Sequence, residues 1–99
     1  MAKKMTKETG EKSAIKDYLK AIGAFYYHNL AGLGVFPGIP DLTAIVKGRV
    51  IQIEVKADVG KQSENQKNFQ IVWESQGGCY LIGTADDVIS GISKLTNTK

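Results

Sequence analysis

Residues 38–57, GIPDLTAIVKGRVIQIEVKA, constrain the fold of this chain more than any other stretch. Apolar and polar side chains alternate with a period of two, the pattern of strands with one buried face. DLTAIV (41–46) and VIQIEVKA (50–57) flank KGR, so the stretch reads as a β-hairpin around a glycine turn. Residues i and i+2 of a strand share a face. Glu54 and Lys56 therefore point one way, and Ile53 and Val55 the other. With the turn at 47–49, residues whose numbers sum to about 96 face each other, which brings Asp41 near residue 55. Two carboxylates and an amine thus gather at the open end of one hairpin.

The flanking sequence supplies the remaining elements. Ile15, Tyr18, Leu19 and Ile22 recur at helical spacing, which predicts a helix from about Thr9 to Ile22 stopped by Gly23. AFYYHN (24–29) is short and aromatic and reads as a strand. AGLGVFPGIP, with its glycines and prolines, is a loop. Ser63-x-x-Gln66 has the form of a capping box opening a second helix, with Phe69, Val72 and Trp73 on its buried side and Gly77-Gly78 at its end. CYLIG (79–83) is an apolar strand. Thr84 caps a last helix through about Leu95, with Val88, Ile89, Ile92 and Leu95 inward. The order α-β-β-β-α-β-α predicts an α/β fold, a mixed sheet flanked by helices.

Ninety-nine residues fit a single domain, 1–99, with residues 1–8 expected to be frayed. No apolar run approaches the ~20 residues of a membrane span. MAKKMTKETG has no apolar segment after it and does not read as a secretory signal. A lone cysteine, Cys79, and a lone histidine, His28, exclude an intramolecular disulfide and a multi-cysteine zinc site. The natural expectation is a reducing cytoplasm. A net charge of +3 is compatible with a polyanionic partner without requiring one.

On spacing alone, a solvated strand face accounts for Glu54 and Lys56, with Asp41 a loop-end residue; charges at alternate strand positions are common. The same residues also suit a divalent cation. Mg²⁺ takes oxygen ligands, retains several waters and needs only one or two carboxylates beside a substrate phosphate. Asp41 and Glu54 supply the carboxylates, the Val55 carbonyl a third oxygen, and Lys56 a group to orient water and steady phosphate charge.

Pro40-Asp41, twelve residues, then Glu54-Val55-Lys56 resembles the PD-(D/E)XK nuclease signature. The longer set, Gly38-Ile39-Pro40-Asp41, Ile53-Glu54-Val55-Lys56, Gly60 and Ser63-x-x-Gln66, resembles the VRR-NUC family in particular, and the element order is similar to that family's core from the first helix to the last. The resemblance implies a restriction-endonuclease-like fold and a metal-dependent nuclease using Mg²⁺ or Mn²⁺. It implies Asp41, Glu54 and Val55 at the metal, Lys56 as the catalytic lysine and Gln66 at the active site. Gln66 as a capping residue is compatible with that role. The family's first-helix glutamate corresponds to Glu11, which shares a face with Ile15, Tyr18 and Ile22, in preference to Glu8. A glutamate opening a helix also has a dipole explanation.

Other residues carry weaker signals. Lys12, Lys16 and Lys20 form a stripe that serves either as a solvated surface or as a phosphate track. Lys61 and Lys67 flank the expected site and are better placed for DNA. His28 reads as structural or a minor DNA contact, Tyr26 and Tyr27 as core and sheet surface, and Cys79 as inert. Gly32, Gly34 and Gly38 suggest a mobile loop before Asp41. A chain this small has little surface for reading base sequence, so shape is the expected specificity. Likeness to small stand-alone VRR-NUC members implies a homodimer cutting branched DNA such as four-way (Holliday) junctions. The first helix, the last helix and residues 77–83 are the candidate interfaces. The alternatives are a nucleic-acid-binding module that does not cut, and an interaction protein with no nucleic-acid partner.

Overall fold

The computed structural model describes residues 7–57 and 61–97. Gly60 and residues 1–6 therefore lie outside the described residues. The elements are α1 (Lys7–Ala21), β1 (Phe25–His28), β2 (Leu42–Val46), β3 (Arg49–Val55), α2 (Glu64–Ser75), β4 (Cys79–Gly83) and α3 (Ala85–Thr96). Their order is the one the sequence predicts. The strands form one sheet in the order β1-β2-β3-β4, antiparallel except for the parallel pair β3–β4. No helix among the described residues is long and apolar enough to cross a membrane.

Local chemistry sets the element ends. The N–H of Ala24 reaches back to the Leu19 carbonyl and that of Gly23 to Lys20, a Schellman ending that Gly23 permits at φ +72°. α2 ends the same way: Gly78 donates to the Trp73 carbonyl and Gly77 to Glu74. α2 and α3 open with capping boxes, Ser63 with Gln66 and Thr84 with Asp87.

The hairpin corrects the expected register by one residue. Lys47 and Gly48 both have positive φ, +50° and +81°, which makes a two-residue turn of the type I′ kind. Arg49 is released into β3 and pairs with Val46. Opposed residues then sum to 95, as in Leu42↔Ile53 and Thr43↔Gln52. Continued by one residue, that register sets Asp41 against Glu54 rather than residue 55.

The odd positions of β3 make the core. Ile51, Ile53 and Val55 are fully buried with Leu42, Ala44 and Val46 beneath Ile15 and Leu19 of α1 and Val88 and Ile92 of α3. The even positions, Gln52 and Glu54, lie on the opposite face with Thr43 and Tyr80. α2 covers part of that face, with Phe69 stacked on Trp73 and tilted against Tyr80. Two expected core residues lie near the surface: Ile22, past the end of α1, is 43% exposed, and Val72 on α2 is 44% exposed. α2 buries a narrower stripe than its sequence suggests because it covers only one side of the sheet's second face.

Candidate active site

The site begins with the loop that delivers Asp41. Pro40 is buried, and its carbonyl accepts from Asn29 Nδ2 at 3.1 Å. The Asn29 N–H donates to the Asp41 carbonyl at 2.9 Å. Asn29 Nδ2 also reaches Gln52 Oε1 (2.9 Å), Thr43 Oγ1 donates to Asn29 Oδ1 (2.7 Å), and Gln52 Nε2 donates to Thr43 Oγ1 (3.0 Å). Buried polar groups are tolerable when paired this completely. The network ties the Pro-Asp segment to β2 and β3. Gly38 completes the support from the other side. At φ +81° it lies against the first turn of α2, where a Cβ would fall 2.3 Å from the Asn65 backbone. Phe36 packs edge-on against Phe69, so the glycine-rich loop also meets the middle of α2.

So held, Asp41 has both carboxylate oxygens engaged. Oδ2 accepts from the Val55 N–H at 2.8 Å, and Oδ1 pairs with Lys12 Nζ at 3.2 Å. Glu54 is 6% exposed and its carboxyl lies within hydrogen-bonding reach of Asp41. Burial, then the charge of Asp41, pushes the Glu54 carboxyl up to about 8 from an ordinary 4.5, against the pull of Lys56; Glu8 adds a smaller repulsion. Lys56 Nζ donates to Gln66 Oε1 at 3.3 Å, and the Ser63 N–H donates to the same oxygen at 2.9 Å. The capping role of Gln66 and its place beside Lys56 thus coexist in one side chain. Tyr80 borders the site: burial raises its phenol, which accepts from Gln62 Nε2 and feels the charges of Glu54 and Asp41.

The structure therefore gathers Asp41, Glu54, Val55, Lys56 and Gln66. It does not gather Glu11 with them in the expected way. Glu11 Oε1 accepts from the Ala85 N–H at 2.7 Å, satisfying a free donor at the start of α3. The α1 acid whose charge Glu54 feels is Glu8, one turn earlier. Among the described residues no group of three or more His, Cys, Asp or Glu is arranged to hold a metal. Sequence reasoning missed Lys12 as a partner of Asp41 and missed Asn29, Thr43 and Gln52. Gln52 had a signal, since it lies two residues before Glu54 on the same strand face. Lys12 had a fainter one, four residues after Glu8. Lys67 pairs loosely with Glu64 at 3.6 Å on the surface, and Lys61 and His28 are exposed.

A solved structure described as a "VRR_NUC domain" superposes on this arrangement with a TM-score of 0.78, over 90% of this chain and 97% of its own, at 26% identity. The fold and the element order are those of a VRR-NUC domain. A second structure, a "VRR_NUC domain protein", shares the fold at a TM-score of 0.72 and 23% identity, over 91% of this chain and 88% of its own. No family profile and no curated protein matches the sequence. The VRR-NUC neighbours show the restriction-endonuclease-like fold, and the first of them supports a nuclease-family function.

The donor set of this site fits a hard divalent cation. Two carboxyl groups meet within hydrogen-bonding reach, and the buried one keeps a proton to about pH 8. A proton here offsets the same repulsion that a cation between the two groups would offset. All the donors are oxygens, as Mg²⁺ and Mn²⁺ prefer.

Proposed function

We propose that this chain is a VRR-NUC nuclease, a Mg²⁺- or Mn²⁺-dependent endodeoxyribonuclease acting on branched DNA as a homodimer. The observation that carries the reading is the buried Glu54 next to Val55, whose N–H holds Asp41, with Lys56 held beside them by Gln66. Asp41, Glu54 and the Val55 carbonyl would hold the cation, which supplies charge neutralisation at a phosphodiester and acidifies water. Lys56, fixed through Gln66 Oε1, orients the attacking water and faces the charge that grows on the phosphate. Gln66 is a positioning residue, because it acts through Lys56. A single free cysteine accords with a reducing, cytoplasmic setting.

The homodimer has support from the half of the sheet that α2 leaves open. Phe25, Ile45 and Val50 are neighbours across three strands, with Tyr27 beside them, and they are 63%, 40%, 41% and 49% exposed. With Phe36, which is 45% exposed, they leave large apolar side chains bare on one face of the sheet. A second copy is the occupant this reading assigns to it. That surface is none of the three interfaces expected from the sequence. Two active sites related by a two-fold axis suit cutting both strands of a junction.

Cleavage of four-way junctions, flaps, duplexes and single strands in Mg²⁺ and Mn²⁺, beside Lys56→Ala, tests the proposal. Metal-dependent cutting of branched DNA that Lys56→Ala abolishes is the expected result. Binding without cutting in either metal would establish the non-catalytic module instead. Light scattering, with Phe25→Glu as the monomeric comparison, reads the dimer.

A further inference from the structure

Lys12 belongs to neither the core nor the catalytic set, yet it forms an ion pair with Asp41. Lys12 reaches from α1 to Asp41 Oδ1, while the other oxygen of that carboxylate is held by the Val55 N–H. The two side chains are 27% and 23% exposed, so the pair lies at the mouth of the site and is open to exchange with solvent. The helix beneath it does not move freely. Ile15 and Leu19 are fully buried and Glu11 is bonded to the start of α3, so the backbone of Lys12 is anchored while its four-carbon stem is not.

We propose that Lys12 is a displaceable counter-cation of the active site: it holds Asp41 in the metal-free protein and, once a divalent cation takes that oxygen, turns to a phosphate of the DNA backbone. This rests on the reading of Asp41 and Glu54 as metal ligands. The physical basis is that an ammonium and a divalent cation compete for one carboxylate oxygen and repel each other when both are near it. A lysine expelled from Asp41 remains beside the site where a phosphodiester must lie, and its charge finds a new partner there. Lys12 is thus a positioning residue for the carboxylate and a contact for the substrate.

The test uses Lys12→Met, which keeps the stem, and Lys12→Arg, which keeps the charge. Mn²⁺ binding by the DNA-free protein is measured by calorimetry, and junction binding in Ca²⁺ by a salt titration. Lys12→Met is expected to bind Mn²⁺ about fivefold more tightly than the wild type, the scale of one partly exposed ion pair. Its DNA affinity should fall, with a salt dependence shallower by about one ion. Lys12→Arg should restore the salt dependence. Unchanged or weaker Mn²⁺ binding by Lys12→Met overturns the proposal, as does an unchanged salt slope, while leaving the two-carboxylate site intact. Absence of Mn²⁺ binding by the wild type instead removes the metal reading, and this inference with it.

Discussion

The two faces of this sheet are built on opposite rules. Against α1 and α3, the face is entirely apolar and sealed, with Leu42, Ile51, Ile53 and Val55 at zero exposure. Against α2, the same strands turn out Thr43, Gln52 and Glu54, all nearly as buried but each needing a partner. Thr43 and Gln52 find theirs in Asn29 and each other, so that part is saturated and rigid. Glu54 instead meets the repulsion of Asp41 and Glu8, eased by Lys56. A groove of about 430 Å³ lined by Tyr27, Phe36, Phe69 and Trp73 runs along α2 over the Thr43–Gln52 pair, so this face is also open. One face is assembled for stability, and the other retains an unresolved electrostatic conflict where a phosphodiester and a cation would resolve it.

The sharpest way to break this contrast is Lys56→Ala. Cleavage should fall by about 10²- to 10⁴-fold, the range of a lost proton-handling group, with little change in melting temperature. Parallel losses in both would show that the open face also carries stability. Next in size is Ile53→Ala on the sealed face, expected to cost about 2–5 kcal/mol in denaturant unfolding. A smaller cost would mean that the core collapses around the void.

Gly38→Ala probes the seam between loop and α2. Its Cβ would meet backbone, not a yielding side chain, at a left-handed φ. A cost above about 1 kcal/mol is expected, together with weaker cleavage because Asp41 lies three residues on. A change of pH needs no substitution. Glu54 keeps its proton to about 8 when folded and releases it near 4.5 when unfolded. The unfolded chain therefore binds fewer protons between those values, and metal-free stability should fall as pH rises from about 4.5 to about 8. Thermal melts of Glu54→Gln should lack that slope; an equal slope in both proteins would assign it to another group.

Much of the site was legible because its parts are local. The spacing of Asp41, Glu54 and Lys56 on one ribbon brings them together under either register, since a one-residue slip still leaves Asp41 at the same end. The Ser63–Gln66 box was readable for the same reason, being one helical turn long. The register differs by one residue from the one KGR suggests because Lys-Gly alone makes the turn and Arg49 pairs in β3. The place of Glu11 has a different origin. Each residue turns a helix by about 100°, so glutamates at 8 and 11 lie on nearby but separate lines of α1. The rotation of the helix that Ile15 and Leu19 impose decides which line meets the carboxylates.

By itself, then, the sequence determined the seven elements, their caps and stops, and the gathering of two acids and a lysine at one hairpin end. Hydrogen bonding within a few residues and strand alternation act over short stretches of chain, and those stretches are written directly in the residues. Tertiary structure alone decided that Lys12 meets Asp41, that Glu11 caps α3, and that Asn29, Thr43 and Gln52 lock the Pro-Asp loop. Those contacts join residues 9 to 74 positions apart in the chain, and they exist only after burial of the apolar face has set how each helix is turned and how closely the loop is drawn in.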